Sequence, residues 1–209
     1  MSFRDRTRGY HHGNLREAMV EAALNLIAER GPNGFTFAEV ARMVGVSGAA
    51  PYRHFRDRNA LMEEVALIGF QRFAADLLRA WDDAKPTPLA GLLAIGRAYL
   101  AFARREPAFY AAMFGCDAPT EMPPELTAAS DRAFTVLRHA AQTLLRGHTG
   151  PNRPPALMVA LHIWSLTHGI ASLFIGGPNG ARKKLPMTPE DLLEAGVLIY
   201  FQSLGVVPA

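Results

Sequence analysis

The chain has 209 residues, of which almost half are apolar and a fifth are charged. This is an ordinary globular composition, and the length allows one large domain or two small ones. A single cysteine, Cys116, excludes an intrachain disulfide, and residues 1–14 lack the apolar core of a secretory signal. We therefore predict a protein of the reducing cytoplasm.

Positive charge is concentrated at one end of the chain. Residues 1–60 carry nine Lys or Arg and six Asp or Glu, whereas residues 61–209 carry thirteen of each, so the net charge of +3 belongs to the first 60 residues. This distribution indicates an anion-binding head on a neutral body that holds a ligand or oligomerises. A solvated basic face is the alternative.

The first helix is predicted over residues 14–30, where apolar residues recur at steps of three and four. Asn14 is its expected N-cap, and a Gly-Pro pair follows it as a stop. Residues 1–12 are predicted to be a basic arm before this helix, with a disordered tail as the alternative. The adjacent His11 and His12 have no third ligand nearby, so no metal site is predicted.

A second, short helix begins at an N-terminal capping box. Thr36 and Glu39 have the spacing at which each side chain bonds the other residue's backbone N–H, and a helix of about two turns is expected to follow. A third helix is predicted to start within 47–50, which places Pro51 in its first turn. Proline is tolerated there because the first N–H groups of a helix have no intrahelical partner. This helix is expected to end near residue 55.

The order long helix, short helix, tight turn, short helix predicts a helix-turn-helix unit over residues 36–55. The small residues 48–51 let the backbone approach bases and phosphates, with free N–H groups and a positive dipole end facing negative charge. Tyr52, His54 and the neighbouring arginines then supply phosphate contacts. A three-helix bundle without a DNA role is the alternative.

The rest of the chain is predicted to be helical, and no segment alternates convincingly as a strand, so the expected fold is all-α. The last two long helices, at about 156–175 and 190–204, are too apolar for a solvent-facing surface. We expect them to form a homodimer interface, since paired heads reach successive major grooves. His162 and His168 within the first of them argue against a membrane span.

Aromatic side chains of the body indicate a small-molecule cavity between its helices. Trp164 and His168 lie four residues apart and so share one helix face. Ordinary core packing is the alternative for each of these residues. The candidate ligand-binding residues are Tyr99, Phe102, Tyr110, Met113, Phe114, Phe134, Trp164 and His168, with Phe109 beside them.

An enzymatic function is not predicted. The sequence has no Gly-x-Ser-x-Gly, no phosphate-binding loop, no Cys-x-x-Cys and no His-Glu-x-x-His. No cofactor is expected either.

The stretches REAMVEAALNLIAERGPNGFTFAEVARMVGVS and PYRHFRDRNAL resemble the TetR/AcrR family of bacterial transcription regulators. The close resemblance covers about residues 9–70. A looser one, Trp164-x-x-x-His168-Gly169, is similar to a C-terminal regulatory domain named for a Trp-His-Gly motif. The family implies an arm over 1–12, a three-helix helix-turn-helix domain over 13–70, and a regulatory and dimerisation domain over 71–209.

The resemblance also implies roles for residues of the head. Phosphate contacts fall on Thr36, Tyr52, His54 and Arg58, and base-edge readout falls on residues 48–50. These three have no side-chain donor or acceptor, so we predict weak direct readout, with Arg53 and Arg42 the nearest side chains able to read a guanine and Arg42 expected to be simply solvated. The DNA-binding candidates are Thr36, Ser47, Gly48, Ala49, Ala50, Pro51, Tyr52, Arg53, His54 and Arg58.

The predicted function is that of a DNA-binding transcriptional regulator, a repressor that binds a palindromic operator as a dimer and is released by a small molecule. The alternative is a helical small-molecule-binding protein whose head no longer binds DNA specifically. Salt-sensitive, sequence-specific DNA binding separates the two.

Overall fold

The computed structural model describes residues 15–115, 122–146, 148, 153–175 and 186–206, and these ranges contain helices and no strand. The all-α prediction is confirmed. Asn14, the basic arm, His11 and His12 lie outside the described residues. The α-helices are α1 (Leu15–Arg30), α2 (Phe37–Val44), α3 (Arg58–Trp81), α4 (Pro88–Arg105), α5 (Pro107–Phe114), α6 (Pro124–Leu145), α7 (Ala156–Phe174) and α8 (Pro189–Ser203).

The ends of α2 follow from local sequence. The Thr36 side chain accepts the backbone N–H of Glu39, and the Glu39 carboxylate accepts the backbone N–H of Thr36, so the predicted capping box is confirmed. Gly45 ends the helix in the left-handed conformation, with φ of 77°, and its N–H bonds the Ala41 and Arg42 carbonyls. A side chain at this φ is strained, which explains the glycine.

The short helix predicted to begin within 47–50 and to end near residue 55 is shorter and tighter than expected. Residues 48–50 form a turn, and the helical part is a 3₁₀ helix over Pro51–Arg53. The Ala50 N–H donates to the Ser47 carbonyl at 3.0 Å, and the Arg53 N–H donates to the Ala50 carbonyl at 3.2 Å. Proline provides no N–H at its own position, and glycine disfavours helix, so three-residue bonds replace an α-helical turn.

Helix α3 joins the head to the body. It begins at the N-cap Asp57, whose side chain accepts the Ala60 N–H, and continues for 24 residues to Trp81. Its buried face carries Phe70 and Phe73 among other apolar residues, and it packs against α4, α5 and α6. The predicted boundary between residues 70 and 71 thus falls inside one continuous helix.

Helices α7 and α8 pack against each other and against α4, and each also carries exposed apolar residues. Leu157, Met158, Leu161 and Leu173 of α7 and Ile199 of α8 are all at least half exposed. Helix α7 is long and apolar enough to cross a membrane, although a third of its residues are buried within the chain. Partly buried helices of soluble proteins share this length and composition.

Candidate DNA-binding surface and effector site

The recognition segment, residues 47–54, lies on the surface of the head. Ser47, Gly48 and Ala49 are exposed, and a side chain at Gly48 meets no heavy atom within 4 Å. Pro51 is buried and anchors the segment to the core. The structure thus leaves the small residues open on their outer side, as a backbone that approaches DNA requires.

Tyr52 projects from this segment into solvent. Its side chain is 62% exposed, and its ring meets the Phe37 ring edge-on with centroids 5.2 Å apart. Arg53 and His54, which follow it, are also exposed. A tyrosine whose ring packs against a neighbouring ring while most of the side chain remains exposed suits a phosphate contact.

A shallow cleft of about 220 Å³ separates α2 from the recognition segment. Arg42, for which the sequence favoured plain solvation, is exposed and also lines this cleft, as does Gly48. Residues 48–50 carry no side-chain donor, so Arg42 and Tyr52 are the lining residues whose side chains have hydrogen-bonding groups. The lining residues are Phe37, Ala38, Ala41, Arg42, Val46, Gly48, Pro51 and Tyr52.

Thr36 remains exposed, but its hydroxyl is occupied by the capping box. The hydrogen bond from the Thr36 backbone N–H, followed by the one from Arg30, lowers the pKa of Glu39 to about 2. The Arg30 guanidinium lies 2.9 Å from the Glu39 carboxylate. The Glu39 carboxylate that caps the start of α2 is therefore ionised throughout the neutral pH range.

Arg58, a predicted phosphate contact, lies against the loop between α1 and α2. Its Nε donates to the Phe35 carbonyl at 3.0 Å, a second guanidinium nitrogen donates to the Pro32 carbonyl, and the guanidinium lies 4.7 Å from the Phe35 ring centroid. The side chain is only partly exposed. Arg58 thus links the start of α3 to the loop between α1 and α2, a structural role that the sequence did not indicate.

Four polar side chains converge in the body, from α4, α5 and α7. The Tyr99 hydroxyl lies 2.7 Å and the Tyr110 hydroxyl 3.1 Å from His168 Nδ1. Ser172 Oγ lies 3.3 Å from the Tyr110 hydroxyl and 3.4 Å from His168 Nε2. Burial raises the pKa of both tyrosines and lowers that of His168, so all four groups are neutral near pH 7.

Aromatic rings surround this polar group. The Phe114 ring contacts those of Tyr110, Trp164 and His168. The Tyr99 ring contacts those of Tyr110 and Trp164. The Phe134 ring contacts the Trp164 ring, and the Phe102 ring contacts that of Phe73. Met113 lies on another side, against Gly69 of α3. We call Tyr99, Tyr110, Phe114, Trp164, His168 and Ser172 the aromatic–histidine cluster.

The structure adds two residues that sequence reasoning missed. Phe73 contacts Tyr99, Phe102, Phe114 and Trp164, and it is fully buried on α3. Ser172 follows His168 by four residues, which puts both on one helix face, so this spacing was an available signal.

Comparisons with known proteins agree with this architecture. A family described as "Bacterial regulatory proteins, tetR family" matches residues 19–65, and one described as "Tetracyclin repressor-like, C-terminal domain" matches residues 92–199. The nucleoid occlusion factor SlmA of Vibrio vulnificus is 31% identical over 108 residues, which are 51% of this chain and 55% of that protein. The chain therefore spans about half the length of this relative.

Solved structures share the fold over nearly the full chain. A Rhodococcus sp. RHA1 protein of unknown function is 29% identical, with a TM-score of 0.76 over 94% of this chain and 98% of that one. AibR, in complex with isovaleryl coenzyme A and operator DNA, is 18% identical, with a TM-score of 0.66 over 88% of this chain and 96% of that one. The latter similarity shows the fold alone.

A helix-turn-helix head on an all-helical body defines a DNA-binding transcriptional regulator. The C-terminal family match alone covers half of the chain, and the head matches the same family independently. The chain belongs to the TetR family of bacterial regulatory proteins. The Trp-His-Gly subtype stays a prediction.

Proposed function

We propose that this regulator is a ligand-responsive repressor that binds a palindromic operator as a homodimer. The observation that carries the proposal is the exposed recognition segment: an open, small-residue backbone at 48–50 followed by the exposed Tyr52, Arg53 and His54. A segment of this composition approaches the major groove, and its flanking side chains bind phosphates. Such a protein acts on DNA in the cytoplasm.

The dimer interface of the proposal is the outer face of α7 and α8. Leu157 and Leu161 lie one turn apart on α7, each about half exposed, and Ile199 of α8 is 66% exposed. His162 and Tyr200 stack across the two helices with centroids 3.8 Å apart. A second copy that covers this face removes exposed apolar side chains from water and pairs the two heads.

The effector site of the proposal is the aromatic–histidine cluster. It combines apolar rings with a few convergent polar groups, which is the usual make-up of a small-molecule site. The similarly folded AibR was solved with isovaleryl coenzyme A and operator DNA together, which supports a small-molecule effector in this fold. Of the remaining predicted residues, Phe134 contacts Trp164, Phe102 is connected through Phe73, and Met113 lies against Gly69 of α3.

Helix α3 connects the two sites mechanically. Arg58 at its start holds the loop between α1 and α2, and Phe70 and Phe73 further along meet the ring of Phe114. A ligand that shifts these rings tilts α3 and changes the separation of the two heads. Half-sites about 34–36 Å apart are then no longer matched, and the operator is released. The working division between head and body thus falls within this helix.

One observation supports a second candidate function: residues 48–50 have no side-chain donor or acceptor. A head of this kind is compatible with a helical small-molecule-binding protein that has lost specific DNA binding.

The deciding experiment measures binding of the full chain to the duplex upstream of its own gene, with random duplex as competitor, at two salt concentrations. Tight, competitor-resistant binding that Tyr52→Phe weakens is expected for the repressor. Equal binding to both duplexes that modest salt removes, together with no palindrome from selection on random DNA, supports the second function instead. Arg79→Ala is the control, because Arg79 is exposed near the end of α3 that lies away from the recognition segment.

A further inference from the structure

Phe114 fills the centre of the aromatic–histidine cluster. Its ring centroid lies 4.9 Å from His168, 5.0 Å from Tyr110 and 5.5 Å from Phe70. Three more rings, those of Phe73, Tyr99 and Trp164, lie within 6.5 Å. The Phe114 ring is thus flanked by the side chains that we propose to bind the effector.

The position of Phe114 in the chain makes it the ring that yields most easily. It is the last residue of the eight-residue helix α5, and it is partly exposed. Phe73 and Phe102, by contrast, are fully buried within long helices. Residues at the end of a short helix are held by fewer backbone hydrogen bonds, so moving Phe114 disturbs less structure.

The polar edge beside this ring has more hydroxyl groups than the histidine can satisfy. A neutral imidazole has one acceptor nitrogen, and both the Tyr99 and Tyr110 hydroxyls reach the same Nδ1. Tyr99 is the closer of the two, at 2.7 Å, and the Tyr110 hydroxyl has Ser172 as a second partner at 3.3 Å. Tyr110 is therefore the group free to turn to a ligand's oxygen.

The chemistry of the cluster selects a neutral ligand. Within the described part of the chain, the hydrogen bonds of Tyr99, Tyr110 and His168 run only among themselves and to Ser172, with no Lys, Arg, Asp or Glu among the partners. Burial lowers the pKa of His168, so the ring is not a cation near pH 7. An anionic ligand there is left without a counter-charge, which is costly, whereas a hydroxyl finds donors and acceptors.

We propose that Phe114 occupies the subsite of a phenol-like effector, a neutral aromatic ring that carries one hydroxyl, and that the effector displaces it. The inference rests on the proposed effector site. The incoming ring takes the place of the Phe114 ring against His168 and Tyr110, and its hydroxyl bonds the Tyr110 hydroxyl.

Displacement of Phe114 reaches the head directly. A Cβ added at the next residue, Gly115, would lie 3.4 Å from Pro32 Cγ, so the end of α5 lies beside the loop between α1 and α2. The Pro32 carbonyl is bound by Arg58 at the start of α3. Phe114, whose ring fills the subsite, therefore lies at the end of α5 that is next to the head.

The test titrates the full chain with two probes of nearly equal size, phenol and toluene, by isothermal titration calorimetry. In Phe114→Ala the deleted ring opens the subsite, and we expect phenol to bind about three- to tenfold tighter than toluene, the worth of one hydrogen bond. Wild type is expected to bind phenol more weakly than the variant, since its own ring must leave. Adding Tyr110→Phe to Phe114→Ala is expected to remove the preference for phenol or to reverse it in favour of toluene, because the buried phenol hydroxyl loses its partner.

Phe109→Ala is the matched control, because it deletes the same side chain from the same helix. Phe109 is buried, but its ring lies under the Arg72 guanidinium, 4.7 Å from the centroid, rather than beside His168. We expect no phenol preference from it. The proposal is overturned by equal binding of the two probes to Phe114→Ala, by no phenol binding, or by the same preference in Phe109→Ala.

If Phe114→Ala does not fold, Phe114→Leu is titrated in its place and judged by the same ratio. Operator binding by wild type without phenol is measured separately. A chain that binds its operator but shows no phenol preference loses this inference and keeps the repressor function. A chain that prefers phenol but binds no operator keeps the subsite and loses the repressor function.

Discussion

Arg58 is bonded to Phe35 in two ways at once: its Nε donates to the Phe35 carbonyl at 3.0 Å, and its guanidinium lies 4.7 Å from the Phe35 ring centroid. Phe35 is itself buried beneath the start of α2. The first residue of α3 therefore fixes the loop that leads into the DNA-binding helices. A residue that the family resemblance assigns to phosphate binding also stabilises the head.

Replacing Arg58 tests this double role. We expect Arg58→Ala to lower the free energy of unfolding by roughly 2 kcal/mol, because two backbone carbonyls lose a charged donor. Arg58→Lys keeps the charge but not the fork of donors, so its loss of stability is expected to be smaller. Urea denaturation of the full chain measures both.

The control for this substitution is Arg56→Ala. Arg56 is 74% exposed, and its partners are Asp57 at 3.4 Å and Glu63 at 4.0 Å, so a change of less than about 0.5 kcal/mol is expected. Equal stability of the Arg58→Ala and Arg56→Ala variants contradicts the stabilising role of Arg58, and a loss of DNA affinity in Arg58→Ala then leaves it a purely DNA-facing residue.

The difference between Thr36 and Arg58 shows how far the sequence predicts this head. Thr36 and Glu39 are three residues apart, and a capping box depends on nothing else, so the prediction matched the structure. Arg58 bonds a carbonyl 26 residues earlier in the chain. No periodicity encodes that contact, because it depends on how α1 and α3 pack.

The same limit applies to the body. The last two helices, predicted at about 156–175 and 190–204, are found at Ala156–Phe174 and Pro189–Ser203, since apolar periodicity and proline positions are local signals. The candidates Tyr99, Tyr110, Phe114 and Trp164 lie in ring contact, and their role in ligand binding stays a prediction. The convergence of the two tyrosines on Nδ1 of His168 was not predicted, because Tyr99, Tyr110 and His168 come from three helices whose relative rotation no single stretch of sequence specifies.

Arg42 and Arg53 are expected to act differently on DNA. Arg42 lines the cleft beside Gly48, so Arg42→Ala is expected to reduce the preference for operator over random duplex by about 1–3 kcal/mol. Arg53→Ala is expected to weaken both complexes alike and to reduce the salt slope of binding by about one, as loss of a phosphate contact does. Competition binding at several salt concentrations measures both. A pure salt effect from Arg42→Ala contradicts the base-reading role.

Glu39 makes the head sensitive to acid. Its pKa is lowered from 4.5 to about 2 by the Thr36 hydrogen bonds and Arg30, so the folded chain keeps a carboxylate that the unfolded chain protonates first. This contribution to stability is present above about pH 4.5 and is lost as the pH falls towards 2. Glu39→Gln is expected to flatten the pH dependence of the melting temperature between those values. An unchanged profile contradicts the assignment.

Charge on the outer face of α7 and α8 is expected to break the dimer. Leu161→Glu and Ile199→Glu place carboxylates on side chains that are 50% and 66% exposed in the single chain. Light scattering after gel filtration is expected to show monomers, and operator affinity falls with them because one head reaches one half-site. Leu78→Glu, at a 60% exposed site on α3, is the control and is expected to remain dimeric. Dimers in all three variants place the interface elsewhere.

His168 is expected to make the body less stable in mild acid. Burial lowers its pKa from 6.5, so below that pH the unfolded chain binds a proton that the folded cluster resists. Stability is therefore full above about pH 6.5 and falls as the pH drops through that value. His168→Asn is expected to melt at a more constant temperature between about pH 7.5 and 5.5. A wild-type profile in His168→Asn means that the imidazole is protonated as readily in the folded cluster as in the unfolded chain.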